Sequence, residues 1–293
     1  MTLSHIIRPK PRDLGGFAVS RLLPQIELRS VGPFVFLDHI GPVDFPPGEG
    51  INVRPHPHIG LATITWLWAG EIFHRDSLGS AQAIRPGDVN WMTAGRGISH
   101  SERTTEETRK RGQRLHGVQS WLALPRAHEE TAPAFAHHKS QSLPHFSAGG
   151  ARVTVIAGSA FGHQAPQTVF APTLYCDLAL ADGASFTLPP EHEERAVLVG
   201  AGVLEIDGER LEAGSLGAFA PGAAASMKAQ GDVKALVLGG AKLDGPRHLW
   251  WNFVSSSNER IAQAKLDWED PRRRRSMFGE ISGDDEFIPL PGA

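Results

Sequence analysis

The stretch Thr63-Ile64-Thr65-Trp66-Leu67-Trp68-Ala69-Gly70-Glu71-Ile72-Phe73-His74-Arg75-Asp76 decides the fold class. Its first six residues are mostly β-branched or aromatic, side chains that suit a pleated surface and lose rotamer freedom in a helix. They predict a strand, Ala69-Gly70-Glu71 a turn, and Ile72 to Asp76 the returning strand. Working outward, Ser77 to Ser80 is a second turn and Pro86-Gly87-Asp88 a third. Val89 to Met92 then leads into the glycine-rich run Thr93-Ala94-Gly95-Arg96-Gly97. Short strands separated by such turns indicate an antiparallel barrel or sandwich.

A weaker copy of this layout lies further along. Val197 to Val199 leads into Gly200-Ala201-Gly202, Val203 to Ile206 reads as the returning strand, and Asp207-Gly208 makes a hairpin-type turn. Gly87 and Gly95 are spaced as Gly214 and Gly222 are, and Ala69-Gly70 has a counterpart in Ala201-Gly202. The repeat suggests two related barrels, with a boundary between Leu124-Pro125 and Ala151. One segment reads as firmly helical: Ser256 and Glu259 have capping-box spacing, Ile261, Ala264 and Trp268 share a face, and Pro271 is expected to stop the run.

Composition narrows the class. The 293 residues are enough for two domains, and 41% hydrophobic with 21% charged residues is a globular balance. A formal charge of −3 gives no general attraction to nucleic acid or anionic membrane. No run approaches the ~20 apolar residues of a membrane span, and the first residues lack an apolar signal-peptide region. The single cysteine, Cys176, excludes an internal disulfide and fits a reducing, cytoplasmic setting.

The fourteen histidines have to be weighed by cluster. In Arg54-Pro55-His56-Pro57-His58 the two histidines are at i and i+2, hence on one side of a strand, and Pro57 favours the extended backbone. Ile98-Ser99-His100-Ser101-Glu102 again sets two ligand-type side chains at i and i+2. On neighbouring strands, His56, His58, His100 and Glu102 would converge inside the barrel as three imidazoles and a carboxylate. That set holds a divalent metal and leaves positions open for water, substrate or dioxygen. The competing reading is a set of ordinary surface or core histidines.

Several other residues invite a role. His74-Arg75-Asp76 reads equally as support for the site and as an ion pair beside a turn. His39 and His116 could sit at the pocket mouth and Gln119 and Trp121 could line the pocket, although packing accounts for each. His137, His138 and His145 look like loop residues, Arg272 to Arg275 like a solvated face, and Cys176 like a buried, inert thiol.

These motifs resemble the cupin superfamily and, within it, the pirin family. The matching stretches are His56-Pro57-His58-Ile59-Gly60, Gly70-Glu71-Ile72 with His74-Arg75-Asp76-Ser77, Met92-Thr93-Ala94-Gly95-Arg96-Gly97-Ile98, His100-Ser101-Glu102, and Gly117 to Pro125 with Gln119 and Trp121. Trp251-Asn252-Phe253-Val254 is the best point of the looser C-terminal match. The resemblance implies an all-β chain of two jelly-roll barrels packed together with a short C-terminal helix. Residues 1–135 would form the metal-binding barrel, and 136–293 a second barrel without a metal site plus the helix.

It further implies one divalent metal per chain, Fe(II) before Mn, Co, Ni or Zn, held by His56, His58, His100 and Glu102. Leu61-Ala62-Thr63 lacks the carboxylate that many cupins carry after HxH, which leaves that part to Glu102. In the second barrel, Glu191-His192-Glu193-Glu194 has no HxH, and Ala223-Ala224-Ala225 stands where a histidine would be expected. The implied activity is quercetin 2,3-dioxygenase, with a flavonol-like aromatic substrate, dioxygen as co-substrate and Glu102 as ligand and proton acceptor. One alternative is a non-catalytic, redox-dependent regulator acting through a protein partner, without direct nucleic-acid or membrane contact. Another is a zinc-dependent isomerase or hydrolase on the same scaffold.

Overall fold

The computed structural model describes residues 2–13 and 18–292. Two compact units divide it: Ile40–His137 with Leu243–Ala293 and Asp13–Ala18 in one, and Met1–Arg12, Val19–His39 and His138–Lys242 in the other. The chain opens with β1 (Leu3–Ile7), β2 (Lys10–Asp13) and β3 (Ala18–Leu23), and β4 (Phe34–Phe45) passes from one unit into the other.

In the unit that carries the histidine motifs, β5 (Asn52–His58), β6 (Leu61–Ala69), β7 (Ile72–Asp76), β8 (Ala81–Ile84), β9 (Val89–Thr93) and β10 (Ile98–Arg103) follow in turn. After a helical turn, α1 (Glu106–Arg111), come β11 (Gln113–Ala123) and β12 (Ala134–His138). One sheet has the order β5-β10-β7-β8, and the second contains β12-β9-β6-β11-β4. Apart from the β7–β8 hairpin, successive strands from β5 to β11 switch between the sheets, the connectivity of a jelly roll and the cupin barrel expected from the sequence. The register of β6 puts Thr63 opposite both Trp121 and Met92, and Thr65 opposite Gln119 and Asn90.

In the other unit, β13 (His145–Ala148), β14 (Ala151–Ala160), β15 (His163–Gln164), β16 (Thr173–Leu180), β17 (Ser185–Leu188), β18 (Glu194–Ile206), β19 (Glu209–Glu212), β20 (Leu216–Phe219) and β21 (Ala225–Gly240) build the second barrel. Its core is apolar, with Val153, Val155, Leu178, Phe186, Leu204 and Val237 all buried. The sequence reading breaks β18 into two strands at Gly200-Ala201-Gly202. The strand instead runs on through two register shifts, with Gly202 at φ 77. A bulge absorbs the glycine that looked like a turn. Asp207 and Gly208 do form the hairpin turn, both with positive φ.

The chain then returns to the histidine-bearing unit as a hairpin, β22 (His248–Trp250) and β23 (Phe253–Ser255), and two helices, α2 (Asn258–Glu269) and α3 (Pro271–Phe278). The sequence anticipates one helix. α2 ends just before Pro271, as expected, with Asp270 extended; Pro271 then opens α3, where its missing N–H is harmless, and Asp270 caps the backbone of Arg272 and Arg273. α2 is capped by Ser257 rather than Ser256. Ile261, Ala264, Trp268 and Phe278 pack with Ile59, Phe253 and Leu290 in one cluster. This apolar contact makes residues 243–293 part of the first barrel's unit, so the compact units are not the linear pieces 1–135 and 136–293. Among the described residues no helix is long and apolar enough to cross a membrane.

Candidate metal centre

Two antiparallel strands bring the motifs together. β5 and β10 pair with His100 opposite His56 and Ile98 opposite His58. The three histidines are buried, and each offers a ring nitrogen within 4.8 Å of the others. The ring centroids lie 5.0 Å (His56–His58), 4.4 Å (His56–His100) and 4.9 Å (His58–His100) apart. Trp121 from β11 meets His58 edge-on at 5.0 Å and walls that side. Among the described residues this is the one group of three metal-ligating side chains so closely placed.

Hydrogen bonds fix which nitrogen of each ring is free. His56 Nδ1 donates to the Arg54 carbonyl at 2.9 Å, and His58 Nδ1 to the Asn252 carbonyl at 3.1 Å. A carbonyl can only accept, so both rings carry the proton on Nδ1 and a lone pair on Nε2. Burial holds His56 down to about 4, with the Arg54 carbonyl opposing it. Burial and neighbouring histidines hold His58 and His100 well below 6.5. All three are therefore neutral at pH 7, the form that binds metal.

His100 is set by a longer chain. Its Nδ1 lies 3.4 Å from His74 Nδ1, and His74 Nε2 lies 2.9 Å from Asp76 Oδ2. Burial alone would raise the Asp76 carboxyl, yet the hydrogen bonds it accepts from His74 and Ser80 bring it below its ordinary value. The carboxylate accepts from His74 Nε2–H; with the His74 ring neutral, its Nδ1 accepts from His100 Nδ1–H and the lone pair of His100 is left on Nε2. The phenyl ring of Phe135 stacks on His74 at 4.5 Å and 12°.

The resulting arrangement suits a cation. His58 Nε2 and His100 Nε2 lie 3.0 Å apart, and both are acceptors by the bonds just described. Two lone pairs facing each other in a buried space repel unless something positive lies between them. Two nitrogens about 2.1 Å from one ion and at right angles around it would stand about 3.0 Å apart. The residues present fit a metal.

Glu102 stands outside this tight group. It follows His100 in unbroken register with β7, where it faces His74, while a register shift in the pairing with β5 puts it opposite Val53. It is half-buried, and desolvation raises its carboxyl while His74 opposes the shift.

The remaining candidates lie elsewhere. His39 belongs to the other unit, and His116 packs against Trp68 at 4.6 Å. Gln119 accepts a hydrogen bond from Thr65. His137 pairs with Asn90, and His145 bonds Thr154 and Ser140. Arg274 lies 3.8 Å above the Phe287 ring, and Arg275 pairs with Glu280. Cys176 is buried, which pushes its thiol up. In the second barrel, His192 bonds the Ser159 carbonyl and Glu194 accepts from Gly32 N–H. The Asn252 carbonyl escapes sequence reading, since a backbone oxygen has no residue signature.

Comparison with known proteins accords with this geometry. Residues 16–122 match the family model described as Pirin, and residues 175–274 the Pirin C-terminal cupin domain. A pirin-like protein of Caulobacter vibrioides is 47% identical over 283 residues, covering 96% of each chain. A Pseudomonas aeruginosa protein, whose name proposes it as a quercetin 2,3-dioxygenase, is 42% identical over 92% of this chain and 84% of its own. The crystal structure of a quercetin 2,3-dioxygenase from Acinetobacter baumannii superposes with a TM-score of 0.90 at 33% identity, over 99% of this chain and 95% of that one. The chain, with its two cupin domains and its buried trio of histidines, belongs to the pirin family.

Proposed function

We propose that this protein is a metal-dependent dioxygenase acting on quercetin-type flavonols, with one divalent ion held by His56, His58, His100 and Glu102. The observation that carries the reading is the convergence of three neutral, buried imidazoles with their lone pairs fixed toward one point. The similarity to the Acinetobacter quercetin 2,3-dioxygenase supports the choice of substrate class. Fe(II) is the ion we favour, although the same donors accept Mn, Co, Ni or Zn. We place the protein in the cytoplasm, where a lone buried cysteine is at home.

A bound ion would supply a Lewis-acidic docking point for the flavonol and access to dioxygen chemistry. The chain's own residues do the rest. The three imidazoles bind and orient, and their hydrogen bonds keep them from turning away. Glu102, with its carboxyl raised by desolvation, is the stronger base for that reason and accepts the 3-hydroxyl proton. Trp121 beside His58 offers a flat apolar wall for an aromatic ring.

The test is anaerobic loading with Fe(II), then oxygen uptake with quercetin and metal content on the same samples. The parent is expected to hold one iron and consume oxygen. His56→Ala is expected to lose stoichiometric iron, and Glu102→Ala to lower turnover by roughly 100-fold or more. Bound iron without oxygen uptake would shift the reading to a redox-dependent regulator acting through a protein partner.

A further inference from the structure

We propose that Asp76, acting through His74, is a positioning residue that sets the tautomer of His100 and so decides whether the site can take a metal. The proposal rests on the three-histidine reading of the site but concerns two residues outside that trio.

The argument is one of donors and acceptors. Asp76 Oδ1 accepts from Leu78 N–H at 2.9 Å and Ser80 N–H at 3.0 Å, which pins the carboxylate in the turn after β7. Its other oxygen, Oδ2, is thereby aimed at His74 Nε2. Since a carboxylate only accepts, a neutral His74 donates from Nε2 and accepts at Nδ1 from His100, which leaves a bare Nε2 on His100. The β7–β10 register supports the row, with His100 opposite Asp76 and Glu102 opposite His74. Phe135 keeps the His74 ring flat against it. An ion pair serving only the turn would need neither the stacked ring nor the second imidazole.

The pinning makes Asp76→Asn an informative variant. The Leu78 and Ser80 N–H groups require an acceptor, so the amide carbonyl takes the Oδ1 place and the NH₂ faces His74. His74 Nε2 then has to accept, its Nδ1–H donates to His100 Nδ1, and His100 turns an N–H toward the other ligands. The turn keeps its hydrogen bonds while the row of protons reverses.

Two measurements test this. In the metal-free protein, long-range ¹H–¹⁵N correlations of the imidazoles are expected to show His100 protonated on Nδ1 in the parent and on Nε2 in Asp76→Asn. Competition with a chelator is expected to show Co(II) bound 10- to 100-fold more weakly by Asp76→Asn, the range typical of lost outer partners. His74→Phe keeps the stack on Phe135 but breaks the row, so adding Asp76→Asn to it should weaken Co(II) binding no further. Unchanged His100 protonation in Asp76→Asn, or losses that add in the double variant, would overturn the proposal. If the parent shows the expected tautomers yet binds no Co(II), the metal reading fails while the relay stands.

Discussion

Gly60 shows how much of the site depends on a residue with no side chain. It stands between the HxH strand and β6 with φ 67, its N–H bonded to the Gly95 carbonyl and its own carbonyl to Leu124 N–H. A Cβ there would come within 2.0 Å of the Val254 carbonyl. Gly60→Ala combines a left-handed backbone with a clash against main chain, and is expected to destabilise the protein by roughly 3 kcal/mol. Denaturant unfolding of the variant checks this; a loss below about 1 kcal/mol would show that the strand of Val254 yields. That His56, His58 and His100 come together was legible in sequence because i, i+2 spacing fixes a common face. Glu102 is the exception. Its spacing and the regular β7 register keep it on the face of His100, yet it is not among the side chains whose ligand atoms lie within 4.8 Å of one another.

At the scale of elements, the β22–β23 hairpin is the least expected contributor. Its turn holds Trp251 at φ 52, an uncommon backbone for a bulky residue, and puts the Asn252 carbonyl on His58. Glu129 anchors the far end, accepting from Ser256 N–H and both serine hydroxyls of Ser255 and Ser256, and pairing with Arg247 at 2.8 Å. Removing one partner of such a buried pair typically costs about 3–5 kcal/mol. Glu129→Ala should therefore lower thermal stability and weaken Co(II) binding together; parental affinity in the folded variant would separate the hairpin from the site. The sequence displayed the strands well: Ile72–Asp76 falls where alternation and turns put it, and Gly87, Gly95, Gly214 and Gly222 all have the positive φ their spacing suggested. It concealed α1, although Thr105 as cap, Glu106 and Glu107 in the first turn and Arg109 to Arg111 in the last are sound signals. A helix that short is carried by its contacts more than by its propensity. Tertiary packing also settled that α2 and α3 join the first barrel, a choice that no local pattern encodes.

For the whole molecule, the buried histidines imply a direction of pH dependence. Their folded-state values lie below 6.5, so from about pH 6.5 down to about 4 the unfolded chain binds more protons and stability falls with pH. His56 alone, held to about 4, contributes roughly 3 kcal/mol of loss by the acid end. Above pH 6.5 neither state is protonated and this source of dependence is absent. Glu102 runs the other way, since a raised carboxyl favours the folded state as pH falls toward 4.5. Metal-free protein should melt at steadily lower temperature from pH 6.5 to 5 and hold level from 7 to 8; a melting temperature indifferent to acid would contradict neutral burial of the trio. The Asn252 carbonyl has a consequence in time as well. It trails His58 by 194 residues, and a ribosome adding ~5–20 residues per second needs about 10–40 s to cover that distance. From the synthesis of His100 onward, about 8–30 s of that interval, the growing chain has all three imidazoles and lacks the oxygen that aims one of them. That oxygen arrives only with about the last seventh of the polypeptide, so on the proposed reading the site is completed when nearly all of the chain has been made.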